Sequence, residues 1–129
     1  MSTELTYLTY VALFTALMWM PYTTNVILVR GINDAVGYPA NPKPLAPWAE
    51  RMKKAHYNAI ENLAVFAALV LVAHAAGVST DGTVLATQVY LWTRVAHFVA
   101  YTFAIPWVRT LGFVVGVLCQ LTIAWAILS

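Results

Sequence analysis

The segment from Leu5 to Val29 is predominantly apolar and contains no charged side chain, and an uncharged run of this length strongly restricts the fold. About 20 helical residues are needed to cross the hydrocarbon core of a bilayer. The segment lacks the basic start and the small-residue cleavage site of a secretory signal, so we expect it to be retained as a membrane span. Pro21 is expected to kink this helix, because proline has no N–H group to donate to the preceding turn.

The composition of the whole chain indicates the same environment. The 129 residues are 61% hydrophobic and only 9% charged, whereas a typical soluble domain carries about 25% charged residues. The formal net charge of +2 is too small to indicate a nucleic-acid partner. The single cysteine, Cys119, excludes an intramolecular disulfide and is expected to be a small packed side chain. We therefore predict an all-α integral membrane protein.

Breaks in the apolar pattern divide the chain into four spans of one domain. Glycine and proline are dense between Gly31 and Ala46, so this first loop is expected to contain no regular element. Gly112 and Gly116 form a G-x-x-x-G pair in the last span, a pattern that lets membrane helices approach closely. We predict a four-transmembrane-helix bundle over residues 1–129, with spans at about residues 5–29, 47–76, 83–104 and 109–128.

The basic residues indicate an orientation in the membrane. Most of the Lys and Arg residues lie on or beside the first loop, namely Arg30, Lys43, Arg51, Lys53 and Lys54. Arg109 borders the third loop, and the second loop and both tails have none. Because Lys and Arg accumulate in cytoplasmic loops, the first and third loops are predicted to be cytoplasmic. Both termini are then predicted to face outward, towards a periplasm or a lumen.

The second span carries polar side chains on one helical face. Lys54, Asn58 and Glu61 are separated by four and three residues, so they align along one side of a helix. A charged side chain at the centre of a membrane costs roughly 2.5–3.5 kcal/mol on insertion scales unless it faces protein or water. This stretch is therefore the first candidate for a functional site.

A second polar face lies on the third span. Arg94, His97 and Tyr101 are separated by three and four residues and therefore also share one side of a helix. The start of the second span and the end of the third both border cytoplasmic loops in the predicted topology. We therefore expect the two polar faces to meet in the cytoplasmic leaflet.

Two motifs in these spans carry a resemblance to a known family. The first consists of Glu50-Arg51, Lys54-Ala55-His56, Asn58 and Glu61, and the second of Arg94-Val95-Ala96-His97 and Tyr101. Together they resemble the membrane-associated proteins of eicosanoid and glutathione metabolism, the MAPEG family. That family includes microsomal glutathione transferases, leukotriene synthase and the inducible prostaglandin E synthase. The resemblance covers essentially the whole chain, including four spans and a longer, proline-rich first loop.

The resemblance implies a homotrimer of four-helix protomers that binds glutathione between neighbouring subunits at the cytoplasmic side. In the family, an arginine at the start of the fourth span favours the glutathione thiolate, and its counterpart here is Arg109. Tyr101 belongs to the same pocket, so Arg109 and Tyr101 are predicted to be catalytic. The predicted glutathione-binding residues are Arg51, Lys54, His56, Asn58, Glu61, Arg94 and His97.

One residue departs from the family pattern. Members with established glutathione chemistry usually carry arginine at the position of Lys54. A lysine is a point charge that cannot hold a carboxylate with a bidentate fork, so the substitution is expected to loosen glutathione binding. Arg51, one turn earlier, is a candidate to compensate.

The same polar residues also admit structural roles. Glu61 and Arg94 are candidates for an interhelical ion pair that holds register without chemistry. His56 either bridges helices or contacts a ligand, and His97 either donates to a substrate or hydrogen-bonds across the bundle. No metal site is expected, because His56 and Glu61 are five residues apart and do not share a helical face.

Two classes of function follow. The first is a membrane-bound, glutathione-dependent transferase or peroxidase, with glutathione as co-substrate, no metal, and a hydrophobic electrophile or lipid as second substrate. The second is a non-catalytic scaffold or lipid-binding trimer. A small four-span exporter is disfavoured, because its essential carboxylate would be expected in the first span, where only Glu4 occurs.

Overall fold

The computed structural model describes residues 1–129 and consists of helices joined by loops and turns. The helical segments in chain order are α1 (Thr3–Leu17), α2 (Trp19–Arg30), α3 (Ile32–Val36), α4 (Pro47–Ala75), α5 (Asp81–Thr102) and α6 (Pro106–Leu128). Only Met18 separates α1 from α2, and the two form one long helix, Thr3–Arg30. Counted in this way, the chain has five helices rather than the four that the sequence predicts, because α3 is an additional short helix.

Three of the helices are long and apolar enough to cross a membrane, namely Thr3–Arg30, α4 and α6. They fit a multi-pass integral membrane protein, as the sequence predicts. The 22-residue α5 is nearly as long as α6 but is not among them. Its lower hydropathy comes from polar side chains that it buries inside the bundle, among them Thr83, Thr87, Thr93, Arg94 and His97.

The first long helix is interrupted at Met18, one turn before Pro21. Pro21 has no N–H group to donate to the carbonyl oxygen of Leu17, so one backbone hydrogen bond of a regular helix is missing. Met18 keeps helical dihedral angles, and its N–H donates to the carbonyl oxygen of Thr15 at 3.3 Å. The helical hydrogen bonding is therefore interrupted locally, while the chain continues in the same direction as one long helix.

The first loop contains the short helix α3, which corrects the prediction that residues 31–46 hold no regular element. The segment Ile32–Val36 contains neither glycine nor proline. Gly31, just before it, adopts a φ of 79°, which allows a sharp change of direction. The end of the loop is fixed to the first helix, because the backbone N–H of Ala46 donates to Oδ1 of Asn25 at 3.0 Å.

Two apolar clusters hold the helices together. The larger cluster joins α1, α4, α5 and α6 and consists of Val11, Phe66, Val70, Ala73, Ala86, Tyr90, Leu91, Cys119 and Ile123. Within it, the rings of Phe66 and Tyr90 stack with their centroids 3.8 Å apart. The smaller cluster fixes the first loop against α2 and α4 and consists of Tyr22, Leu45, Ala49 and Met52.

Gly112 and Gly116 pack α6 against α5 of the same chain, and both glycines are buried. A Cβ atom added at Gly112 would lie 3.4 Å from Cβ of His97, and one added at Gly116 would lie 3.7 Å from Cε2 of Tyr90. The absence of side chains at these two positions lets the helices approach closely. The G-x-x-x-G pair thus brings α6 alongside the polar face of α5.

The helices gather the basic residues at one end of the bundle. Nε of Arg51, near the start of α4, donates to the carbonyl oxygen of Thr102 at the end of α5, at 2.9 Å. Arg109 near the start of α6 comes to the same end. At the other end, Glu4 of α1 accepts a hydrogen bond from Oγ1 of Thr83 at the start of α5, at 2.8 Å. We refer to these as the basic end and the Glu4 end.

Candidate functional site

Two adjoining clefts open at the basic end between α4, α5 and α6. The first, the Asn58 cleft, has a volume of about 220 Å³ and is lined by Asn58, His97, Tyr101, Arg109, Thr110 and Phe113. The second, the Arg51 cleft, has a volume of about 140 Å³ and is lined by Arg51, Tyr101, Ala104, Ile105, Pro106 and Arg109. Tyr101 and Arg109 line both clefts and therefore form their common wall.

The guanidinium group of Arg109 lies over the ring of Tyr101, with its central carbon 4.9 Å from the ring centroid. A cation over an aromatic face is attracted by the quadrupole of the ring. The connection between α5 and α6 is short, and Ala104 adopts a φ of 59° there, which is uncommon for a residue with a Cβ atom. Pro106 then starts α6, in the first turn where proline is favoured. This tight connection returns Arg109 over the end of α5.

Arg94 lies behind the Asn58 cleft and is only 3% exposed. Its Nη2 donates to Oδ1 of Asn58 at 2.7 Å. Nδ2 of Asn62 donates to the backbone carbonyl oxygen of Asn58 at 2.9 Å, and Nε2 of Gln120 donates to that of Asn62 at 3.2 Å. A buried guanidinium is costly unless polar groups surround it. The network joins α4, α5 and α6 and fixes Asn58 at the wall of the cleft.

Three buried polar atoms on α5 have no hydrogen-bond partner in the chain: the Tyr90 hydroxyl oxygen, Nε of Arg94 and Nδ1 of His97. Such groups are rare in native interiors, and each calls for an explanation. They follow one another at helical spacing, on the face of α5 that packs against Gly112 and Gly116. The polar face of α5 therefore extends deeper into the bundle than the predicted residues, as far as Tyr90.

His97 connects this deeper region to the clefts. Its side chain is 3% exposed, yet it lines the Asn58 cleft. Its ring meets that of Tyr101 edge to face, with centroids 5.7 Å apart. The ring is therefore placed by packing, and a ring nitrogen remains without a partner in the chain.

Arg51 takes part in the site through the second cleft. Its Nε is used in the hydrogen bond to the carbonyl oxygen of Thr102, which anchors the side chain to the end of α5. The same residue lines the Arg51 cleft together with Arg109. Two guanidinium groups therefore border one small cleft, an arrangement suited to an anionic ligand.

His56 lies in neither cleft. It is 8% exposed, and its Nδ1 is 2.7 Å from the hydroxyl oxygen of Tyr22 on α2. His56 is two residues before Asn58 and therefore faces the other side of α4. This contact bridges α2 and α4, which is one of the two roles that the sequence leaves open for His56.

Lys54 and Glu61 are exposed on the surface of α4 and do not line either cleft. The interhelical ion pair between Arg94 and Glu61 that the sequence admits is not formed in the structure: Arg94 is buried and donates to Asn58, whereas Glu61 is exposed. A carboxylate on the surface of a helix that is apolar enough to span a membrane is costly unless it meets a polar group. A polar group packed against this face of α4 would therefore lower the cost of placing Glu61 in a membrane.

Sequence reasoning missed three residues of this region: Thr110, Phe113 and Gln120. Thr110 and Phe113 follow Arg109 by one and four positions, so helical spacing from Arg109 indicates the second of them. Gln120 is an amide in the predominantly apolar second half of α6, and a polar residue inside such a helix is itself a signal. The place of Thr110 in the Asn58 cleft depends on the tight turn between α5 and α6, which the sequence pattern does not reveal.

Comparison with known proteins gives one match. No curated protein and no solved structure matches the chain. The family model described as the MAPEG family matches residues 7–129, which is nearly the whole chain. The all-helical structure, with three helices long and apolar enough to cross a membrane, agrees with this match and with a multi-pass integral membrane protein. The chain therefore belongs to the MAPEG family.

Proposed function

We propose that the protein is a membrane-bound, glutathione-dependent transferase or peroxidase. The proposal rests on the guanidinium group of Arg109 over the ring of Tyr101, in the wall shared by two clefts at the basic end. Membership of the MAPEG family fits a glutathione-related membrane function in general terms. The clefts combine cations, an amide and a phenol with apolar walls, which suits an anionic thiol and a hydrophobic second substrate.

Recognition of glutathione requires groups for two carboxylates and one ammonium. The Arg51 guanidinium, anchored through Nε alone, retains its terminal N–H groups for a carboxylate. Asn58, held by Arg94, presents a fixed polar group at the cleft wall. Lys54 supplies a further cation on the exposed face of α4, and Glu61 supplies a carboxylate for the ammonium group.

Activation of the thiol is assigned to Arg109. A thiol with a pKa near 8.5 is mostly protonated at neutral pH, and a neighbouring cation stabilises the thiolate that acts as nucleophile. The Tyr101 hydroxyl is available to donate a hydrogen bond to charge that develops on the substrate. Phe113, which is 39% exposed, lines the Asn58 cleft and gives a hydrophobic substrate an apolar approach from the lipid.

The proposed assembly is a homotrimer with a site shared between neighbours. Each cleft is smaller than the roughly 300–1,000 Å³ of typical small-molecule pockets, so one protomer supplies only part of the site. A second protomer seated on the exposed face of α4 would bring Lys54 and Glu61 into the site. It would also remove the Glu61 carboxylate from lipid.

The proposed topology has α5 as a fourth membrane span and the basic end in the cytoplasm. Packing against α6 shields the polar face of α5, so the helix can cross the bilayer despite its lower hydropathy. The accumulation of Lys and Arg at the basic end supports a cytoplasmic location for it. Both termini then face the opposite side.

Glutathione binding to the purified protein in detergent tests the proposal, with the ultraviolet absorbance of the thiolate followed as pH is varied. The wild type is expected to bind glutathione with a thiol that titrates below the roughly 8.5 of a free thiol. Arg109→Ala should lose the thiolate signal. Lys43→Ala, which removes an exposed cation from the first loop, should keep it.

Failure of the wild type to bind glutathione at millimolar concentration would overturn the proposal. The non-catalytic scaffold or lipid-binding function would then be favoured, and one observation supports that alternative: Lys54 stands where arginine is usual and is exposed. Conjugation at the wild-type rate by Arg109→Ala, in a variant shown by gel filtration to keep its assembly, would remove Arg109 from the mechanism.

A further inference from the structure

The largest cleft of the chain lies at the Glu4 end, on the far side of the bundle from the proposed glutathione site. Its volume is about 270 Å³, many times the roughly 30 Å³ that a water molecule occupies in the liquid. Its walls come from the first turn of α1, the end of α4 and the turn before α5, and include Glu4, His74 and Ser79. Nothing in the proposed glutathione chemistry uses this cleft.

Glu4 is a buried carboxylate, 6% exposed, in the wall of this cleft. Oγ of Ser79 donates to it at 2.7 Å and Oγ1 of Thr83 at 2.8 Å, and both hydroxyl groups use the same oxygen, Oε1. No donor from α4, α5 or the turn between them reaches the second oxygen, Oε2. At the start of α1, the Ser2 side chain and the backbone N–H of Glu4 itself also lie near the carboxylate, and apart from these the second oxygen has room for a further donor.

No Lys or Arg side chain pairs with Glu4, and the one titratable basic side chain that lines the same cleft is His74. Six of the seven Lys and Arg residues lie in or beside the first loop or near the start of α6, and the seventh, Arg94, is held by Asn58. The carboxylate lies in the first turn of α1 and beside the start of α5, where the partial positive charges of two helix N-termini favour an anion. A buried charge without a full partner is costly, so the cleft is suited to a cation.

The other residues that line the Glu4 cleft indicate which kind of cation it is suited to bind. Val70 and Ala73 form an apolar side of the cleft, which suits an organic group better than a hydrated metal ion. Trp125, near the end of α6 at the same end of the bundle, is 74% exposed, as expected of a tryptophan at a membrane–water interface. This tryptophan supports the presence of lipid headgroups at this end of the bundle.

We propose that the Glu4 cleft binds a primary ammonium group, carried either by an ethanolamine lipid headgroup or by a small soluble amine. An ammonium group has three N–H donors and no acceptor, so it matches the charge of Glu4 and the carboxylate oxygen that Ser79 and Thr83 do not contact. In a lipid headgroup the ammonium is accompanied by a phosphate, and His74 and Ser2 in the same cleft are available to donate to it. The site is distinct from the glutathione site in residues and in position.

Lipid binding measured by native mass spectrometry of the full-length protein in detergent tests this proposal. Ethanolamine and choline phospholipids with identical acyl chains are compared, because a trimethylammonium group has no N–H donor. The wild type is expected to bind the ethanolamine lipid about tenfold more tightly, in line with a charge-assisted hydrogen bond. Addition of soluble ethanolamine distinguishes the two sources: retention of the free amine identifies a small amine as ligand, and retention of the lipid alone identifies a headgroup.

Glu4→Gln and Asp81→Asn form a matched pair of variants. Glu4→Gln keeps an oxygen that accepts from Ser79 and Thr83 but removes the charge, so the headgroup preference should disappear. Asp81→Asn removes an exposed carboxylate from the same end, and the preference should stay within about twofold of the wild type. An unchanged preference in Glu4→Gln, or equal binding of both lipids by the wild type, would overturn the proposal. The wild-type comparison decides the question even when Glu4→Gln does not fold.

Discussion

Arg94 and Asn58 are joined by a 2.7 Å hydrogen bond from Nη2 to Oδ1, which links α5 to α4 behind the Asn58 cleft. Arg94 is 3% exposed and its Nε has no partner in the chain, so this bond is the main polar contact of a buried cation. Asn58 itself lines the cleft. The same asparagine therefore has a structural partner on one side and a binding surface on the other.

Two substitutions at Asn58 separate these roles. Asn58→Leu leaves Nη2 of Arg94 buried without a partner, and we expect a loss of about 1.5–3 kcal/mol of stability together with loss of glutathione binding. Asn58→Asp keeps an acceptor for Arg94, so the unfolding midpoint in denaturant should stay near that of the wild type. The new negative charge should nevertheless repel the carboxylates of glutathione and weaken its binding. Equal destabilisation by both substitutions would contradict this division of roles.

Tyr101 contributes a ring beneath Arg109 and a hydroxyl group at the clefts. Tyr101→Phe keeps the ring, so we expect glutathione affinity and the thiolate signal to persist while turnover of a hydrophobic aryl halide falls about 100-fold. Tyr101→Leu removes the ring as well and should also reduce the thiolate signal. Tyr10→Phe, at an exposed tyrosine of α1, serves as control. Wild-type turnover by Tyr101→Phe would exclude a role of the hydroxyl in catalysis.

His56 is expected to act in stability rather than in ligand binding. Tyr22→Phe removes the hydroxyl group that lies 2.7 Å from Nδ1 of His56, and a buried ring nitrogen left without its partner costs about 1–3 kcal/mol. We therefore expect a lower unfolding midpoint and an unchanged dissociation constant for glutathione. Tyr38→Phe, at a fully exposed tyrosine of the first loop, should change neither quantity. A loss of glutathione affinity without a loss of stability in Tyr22→Phe would instead show that His56 contributes to glutathione binding.

Substitutions at Gly116 test the packing of α6 against α5. An added Cβ atom would lie 3.7 Å from Cε2 of Tyr90, an ordinary contact distance, so Gly116→Ala should be tolerated. Gly116→Leu should cost about 1–3 kcal/mol and displace the polar face of α5, because a larger side chain forces the helices apart. Val114→Leu, on the exposed side of α6, is the control. Thermal unfolding in detergent measures all three variants, and wild-type stability of Gly116→Leu would contradict this account of the interface.

Local patterns in the sequence account for much of the framework. Runs of apolar residues predict four membrane-spanning helices, and three of the observed helices are long and apolar enough to cross a membrane. Proline and glycine mark the breaks, but their density misleads between Gly31 and Ala46, where a segment free of both forms α3. The spacing of Arg94, His97 and Tyr101 places them on one face of α5, since a helix repeats every 3.6 residues.

The sequence by itself determined the class of the protein, because apolar length and helical period are local properties that require no knowledge of a fold. Only the tertiary structure decided which polar residues meet. In the structure, His56 contacts Tyr22, Arg94 donates a hydrogen bond to Asn58 rather than pairing with Glu61, and the Glu61 carboxylate lies on the surface. The rotation of each helix and the turn at Ala104 set these contacts. They depend on how whole helices pack, which spacing along one helix does not specify.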